Sequence, residues 1–317
     1  METSILTPNA AGLSLALLTA LFWGALPLAV KQILPVMDAV TIVCLRFCVA
    51  AVWIWICPEH AAPRPPRPRS RREIVLLVVA TVGLGANFVL FNTSVAYLSA
   101  SACQILAQAG PMLLLLGGIF ILHEPFLPIQ GVSAATLVAG LLLFFNTRLF
   151  ELFSGGGDFA FGMLLGLSAA LVWSAYGLAQ KVLLRVTTPT RILRVIYPCC
   201  AVGLLPASSP SLIFDLDLFQ LCCLAFASIN TIVAYGAFTT AMNIWHSAKV
   251  SAVLTTTTLF TIALEYLGHA AFPSIFPQES LSLISAIGAV AVVLGALGIA
   301  LGPMLHAPHL SFHGSRK

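Results

Sequence analysis

The sequence predicts an all-α polytopic membrane protein, with ten transmembrane helices laid out as two inverted five-helix repeats. Three observations carry that expectation. Hydrophobic residues make up 59% of the 317 residues and charged residues only 8%, with a mean hydropathy of +1.00. A soluble body needs roughly a quarter of its residues charged to face water, so lipid must be the main solvent and a soluble enzyme is excluded. The second observation is a series of ten apolar runs, each close to the ~20 residues a spanning helix requires. The third is self-similarity between the two halves of the chain.

In order, the runs cover residues 12–34, 38–57, 74–97, 100–122 and 129–147, then 159–184, 191–213, 219–242, 246–268 and 280–302. Turn-forming residues separate them, among them Leu34-Pro35, Pro58, Ser99, Pro125 to Pro128, Gly155 to Gly157 and Ser208 to Pro210. Two units follow, 12–147 and 159–302, with tails at 1–11 and 303–317. The first run is too long, and its start too poor in basic residues, for a cleavable signal peptide.

Lys and Arg near the ends of short loops set orientation. Arg64, Arg67, Arg69, Arg71 and Arg72 fall between the second and third runs, Arg185 and Arg191 between the sixth and seventh, and Arg316 and Lys317 in the tail. Ten spans put all of these on one side, against Arg148 alone on the other, so both termini are expected in the cytoplasm. The basic stretch Pro63 to Arg72 also suits anionic headgroups, although the topology signal by itself accounts for it. No basic stripe interleaved with aromatics marks a nucleic-acid binder. The eight cysteines (Cys44, Cys48, Cys57, Cys103, Cys199, Cys200, Cys222 and Cys223) lie in or at the end of apolar runs without metal-ligand spacing, and read as small hydrophobes.

Sliding the chain by 150 residues aligns Gly12–Leu34 with Gly162–Leu184, and eleven of 23 positions are identical. Leu and Ala supply most of these matches. The pairing of Trp23/Lys31 with Trp173/Lys181 weighs more, because the chain has five Trp and four Lys. Ser101-Ala102 and Ser247-Ala248 also match, each near the start of the fourth span of its half. An odd number of spans per half forces the copies to enter the membrane from opposite sides. Such inverted repeats let two similar halves rock about a shared central site.

The chain resembles the drug/metabolite transporter superfamily, in its EamA-type branch with two five-helix repeats. In the first half the resemblance rests on Trp23-Gly24, Lys31, Arg46-Phe47, Asn92, Tyr97, Ser99 to Ala102, Pro111 and His123-Glu124-Pro125. In the second half it rests on Trp173 to Gly177, Lys181, Ser247-Ala248 and the Gly-rich last span. Two departures stand out: Thr257 occupies the middle of span 9 where the family places Pro, and the segment Phe272 to Pro277 displaces the following glutamate to Glu279. The resemblance implies a bacterial inner-membrane transporter of small solutes, with no cofactor, and a central cavity lined by spans 1, 3, 4, 6, 8 and 9.

Ionisable groups inside a span need a partner, an aqueous cavity or a nearby interface. Lys31 and Lys181 either snorkel to headgroups or face a cavity or gate. Arg46, near the middle of span 2, either forms a salt bridge within the bundle or meets substrate; Arg194 is its candidate counterpart in span 7. Glu265 is the one acid well inside an expected span and is a candidate for proton coupling or for pairing with a base. Gln104 and Gln108 share a helix face, and Pro111 frees the carbonyl of Ala107. That combination suits an amine or amide, or hydrogen bonding between helices. Trp23, Asn92, Tyr97, Trp173, Tyr176 and Tyr235 complete the candidate solute-binding set. Gly295, Gly298 and Gly302 allow close helix contact, either within the bundle or at a homodimer face. The tail histidines His306, His309 and His313 read as solvated.

The leading expectation is therefore a secondary transporter for amino acids or related amphipathic compounds, in the efflux direction, with multidrug or cation efflux as the alternative on the same scaffold. No Walker-type motif occurs, so this chain is not expected to use ATP directly. An intramembrane enzyme would need H-E-x-x-H, G-x-S-x-G or paired carboxylates, none of which is found. A channel has no comparable use for an inverted repeat.

Overall fold

The computed structural model describes residues 8–56, 70–123, 126–148, 157–245, 247–276 and 282–306. Expectations resting on Cys57, Arg64, Arg67, Arg69, Glu124-Pro125, Glu279, His309, His313, Arg316 and Lys317 lie outside these residues. All regular structure among them is helical. The first half holds α1 (Pro8–Ile33), α2 (Ala39–Ile56), α3 (Arg71–Tyr97), α4 (Ala100–Ala107), α5 (Ala109–Leu122) and α6 (Pro128–Phe144). The second holds α7 (Asp158–Leu183), α8 (Pro189–Leu204), α9 (Leu218–Ile244), α10 (Ser247–Leu254), α11 (Thr257–Ala271) and α12 (Leu283–His306). α4 with α5, and α10 with α11, each make one interrupted span, which brings the total to ten. Among the described residues nine spans are long and apolar enough to cross a bilayer, and α6, also apolar, is shorter. Its 17 residues reach the lower limit of about 17 for a crossing helix.

Short polar residues stop and restart the chain. The Asp38 carboxylate accepts from Thr41 N at 2.9 Å, and Ser70, Ser99 and Thr188 accept from the backbone three residues on in α3, α4 and α8. Asp217 and Gln220 form a reciprocal capping box at the start of α9. Each satisfies a backbone N–H that the helix itself cannot. The seventh span ends earlier than its apolar run suggests. α8 stops at Leu204 and two 3-10 turns follow, Leu205–Ala207 and Pro210–Asp215, because Pro206 and Pro210 each lack the N–H that continued α-helix would need.

The packing has the two-fold logic of an inverted repeat. α3 packs along α7, and its counterpart pair, α9 along α1, is nearly as extensive; α6 pairs with α12, and α2 with α8. Equivalent polar ties cross the first two interfaces, Asn87 Nδ2 donating to Ala169 O at 3.0 Å and Asn230 Nδ2 donating to Phe22 O. We call the end of the bundle where α1 begins and α12 finishes the near end, and the opposite one the far end. Lys31 Nζ donates to Leu98 O at 2.8 Å at the far end, joining the α1–α9 pair to the turn that follows α3.

Without a hydrophobic driving force between helices in lipid, close approach has to supply the attraction. The α6–α12 contact relies on glycine for it. A β-carbon on Gly140 would lie 2.5 Å from Val292 N, and one on Gly295 would lie 2.5 Å from Leu137 N and 2.7 Å from Ser133 O. Gly295 and Gly298 are therefore spent inside the bundle rather than offered as a dimer face. Gly295→Val is expected to part these helices and to lower the melting temperature of the purified protein by at least several degrees. Gly203→Ala, at a site with open space around it, should leave it unchanged.

Candidate functional site: a central cavity at two interrupted helices

The two interrupted spans cross at their breaks, and the breaks have different causes. Pro111 has no N–H, so the carbonyl of Ala107 loses its usual donor, and Gln108 N turns to Ile105 O at 3.1 Å. No proline serves the second half. There Thr255 and Thr256 turn their hydroxyls back onto Ala252 O at 2.8 Å and Val253 O at 2.6 Å, while Thr256 N tightens onto Val253 O at 3.0 Å. Side-chain hydroxyls competing for backbone carbonyls loosen a helix at that point. The Thr255 to Thr258 run thus opens span 9 although it lacks the family's proline.

Amide and hydroxyl side chains then stitch the crossing together. Gln108 Nε2 donates to Thr258 Oγ1 at 3.0 Å, and Thr258 Oγ1 to Gln104 O at 3.4 Å. Gln104 Nε2 donates to Trp23 O at 2.8 Å, and Thr261 Oγ1 to Gly24 O at 2.9 Å. The structure realises the interhelical reading of the two glutamines, and both also line a cavity. Their amide nitrogens are committed to protein, which leaves their side-chain oxygens as acceptors.

That cavity, about 200 Å³, lies around the crossing and takes residues from both halves. Aromatic rings form much of its wall: Tyr235 stands edge-on to Trp23 at 5.3 Å and tilted to Phe88 at 6.1 Å, with Trp173 and Phe91 also lining it. Arg46 is only 1% exposed and lines the same space. Its Nε donates to Thr231 Oγ1 at 3.1 Å and one Nη to Asn92 Oδ1 at 3.3 Å, and its guanidinium lies 4.8 Å over the Phe88 ring. Asn92 is held in turn by a 2.6 Å bond to Phe88 O. The hydroxyl of Thr257 is buried, lines the cavity and has no hydrogen-bond partner.

Of the residues singled out in the sequence, Trp23, Arg46, Asn92, Gln104, Gln108, Pro111, Trp173 and Tyr235 meet at this cavity. Others stand elsewhere. Tyr97 is 38% exposed and edge-on to Phe161, because five residues beyond Asn92 the helix has turned ~140° off the cavity face. Tyr176 is buried where α7 packs against Gly83 of α3. Arg194 is no counterpart of Arg46: its Nε donates to Ile54 O at 3.2 Å and it lies over Trp55, tying α8 to the end of α2. Lys31 holds the far-end tie described above, Lys181 is exposed in the last turn of α7, and Glu265 is partly buried on α11 outside the lining. Span 2, absent from the expected lining, contributes Arg46. Asn87, Phe88, Phe91, Thr255 and Thr257 line the cavity without having been named as solute-binding candidates. Helical spacing pointed to Phe88, four residues before Asn92. Thr257 stood out only as the place of a missing proline, and nothing local marked it or Thr255 as lining.

A family model for EamA-like transporters matches the chain twice, over residues 10–146 and 160–301. The chain belongs to the EamA-like transporter family. It is 43% identical over 293 residues to YhbE of Escherichia coli (strain K12), described as an uncharacterized inner membrane transporter, covering 92% of this chain and 91% of that protein. An uncharacterized transporter of Haemophilus influenzae is 37% identical over 298 residues, covering 94% and 97% of the two chains. A solved crystal structure superposes with a TM-score of 0.62 at 17% identity, covering 96% of this chain and 99% of that one, and so shares the fold. Membership agrees with the drug/metabolite transporter resemblance and makes the protein an integral membrane protein of a transporter family.

A cavity wet enough to carry a polar solute must admit polar reagents. In a cysteine-free background, Asn87→Cys is expected to react with a charged thiol reagent in membrane vesicles. Ile229→Cys, half-exposed on the outer surface of α9, should be protected by lipid. Equal protection of both would show a dry cavity.

Proposed function

We propose that the protein is a secondary active transporter that moves small amphipathic metabolites, amino acids or related compounds, out of the cell by alternating access. One observation carries this reading: a cavity of about 200 Å³, lined from both halves, lies where two interrupted helices from inverted halves cross. Interrupted helices expose backbone polar groups that lipid cannot satisfy, and a solute path is where that exposure is useful. The α1–α9 and α3–α7 pairs are the two bodies that move against one another, and the Lys31 bond to Leu98 O is a far-end contact that must part for that end to open. Transport draws on a proton gradient or on exchange of one solute for another. The protein lies in the inner membrane with both termini cytoplasmic, a reading supported by the nine Lys and Arg on that side against Arg148 alone.

Two measurements test this. Cells lacking or over-producing the protein should differ in their external metabolites. The solutes so identified should show saturable, trans-stimulated exchange in proteoliposomes, with Lys31→Met changing the exchange rate several-fold. Linear, unsaturable flux without trans-stimulation would indicate a channel and sink the proposal. For topology, a C-terminal green fluorescent protein fusion should glow, and an alkaline phosphatase fusion at the same place should be silent; the reverse pattern would invert the assignment.

A further inference from the structure

We infer that the cavity holds its solute by a carboxylate, bound to the guanidinium of Arg46; this rests on the transport reading and names the class of solute. Arg46 is the cation of the lining, and no Asp or Glu lines the cavity among the described residues. The arginine has five N–H donors in a planar fork. Neutral oxygens of Thr231 and Asn92 accept two of them, and the ring of Phe88 lies under the guanidinium plane. These partners fix the fork without neutralising it. Among the described residues no acid pairs with Arg46, so the within-bundle salt bridge that its depth suggested is not formed.

A carboxylate offers two oxygens that fit the free edge of such a fork. A cation would meet an uncompensated positive charge and no acid to receive it. The rest of the lining describes the rest of the solute. Aromatic rings suit an apolar or aromatic body, and the side-chain oxygens of Gln104 and Gln108, with the Ala107 carbonyl freed by Pro111, accept from a second polar group such as an ammonium. Thr257, another lining residue, carries a buried hydroxyl with no hydrogen-bond partner. The class is therefore a small carboxylate with an apolar or aromatic body and a second, hydrogen-bond-donating group.

The test uses the full-length protein in proteoliposomes loaded with a small-molecule extract of the producing cells. Protein-dependent depletion of solutes is read by mass spectrometry. The depleted solutes should carry a carboxylate, and the amide of the best of them should compete at least tenfold more weakly than the acid. Arg46→Gln should bring that acid-to-amide preference close to one. Arg46→Lys keeps the charge but not the fork; it should raise the apparent KM for the acid about tenfold, and it is read in place of Arg46→Gln if that variant does not fold. Depletion of solutes lacking a carboxylate, or equal competition by acid and amide, overturns the inference while leaving the transport reading standing. So does a folded Arg46→Gln variant that keeps the preference, or, where Arg46→Lys is read, an unchanged KM. Absence of any trans-stimulated flux overturns both.

Discussion

The crossing of the two interrupted helices depends on a constraint that lipid imposes on every spanning segment. With no water to bond, each backbone N–H and C=O left open at mid-membrane costs several kcal/mol, so a helix breaks there only where other groups take up the loss or where the break faces a cavity. Both conditions hold at Gln108 and Thr255-Thr256. The glutamine amide of one break bonds the threonines of the other, and the threonine hydroxyl returns a bond to the first helix. The two breaks support each other, and the cavity lies beside them. Each half lends side chains to the other's interruption, which links the duplication of the five-helix unit to the central cavity.

How much of this was legible in the sequence follows from the range of each interaction. Apolar runs and their punctuation are local, so the ten spans could be read from them. The inverted arrangement could be read from Trp23/Lys31 and Trp173/Lys181, because rare residues at equal spacing survive divergence that Leu and Ala obscure. The end of α8 was overrun because Leu212 and Ile213 prolong the apolar run while Pro206 and Pro210 remove the backbone donors. Tyr97 and Tyr176 were assigned by residue type, and helical phase places them elsewhere. Thr257 stood in the sequence as a missing proline. That hydroxyls at Thr255 and Thr256 open the helix in its place depends on rotamers and on which carbonyls they reach, which no spacing rule encodes.

Arg46 shows why position alone leaves a charge ambiguous. Depth in span 2 favoured an internal salt bridge over a solute contact, yet the partners found are Thr231, Asn92 and Phe88, with no acid among the described residues. A guanidinium near mid-membrane costs at least ~2.5–3.5 kcal/mol on insertion scales. Stacking over an aromatic ring returns ~0.5–2 kcal/mol, and hydrogen bonds to a charged group return ~1.5–3 kcal/mol each. Phe88, Asn92 and Thr231 together are thus sufficient to hold the charge in the bundle without an acid. A bound acid in the same place would have cancelled it for any incoming solute.

That balance also bears on how a carrier releases what it binds. At contact distance, opposite charges attract by ~4 kcal/mol at an effective dielectric constant near 20, and by far more in a dry interior. A fully desolvated ion pair would hold the solute too tightly for rapid turnover. The aromatic plane and the two neutral oxygens around Arg46 already occupy part of its hydrogen-bonding capacity and spread its field. They weaken the grip without removing the sign of the charge. Selectivity between charge types needs only that sign, while turnover needs the attraction to stay moderate, and an arginine held by neutral partners at the cavity wall meets both requirements.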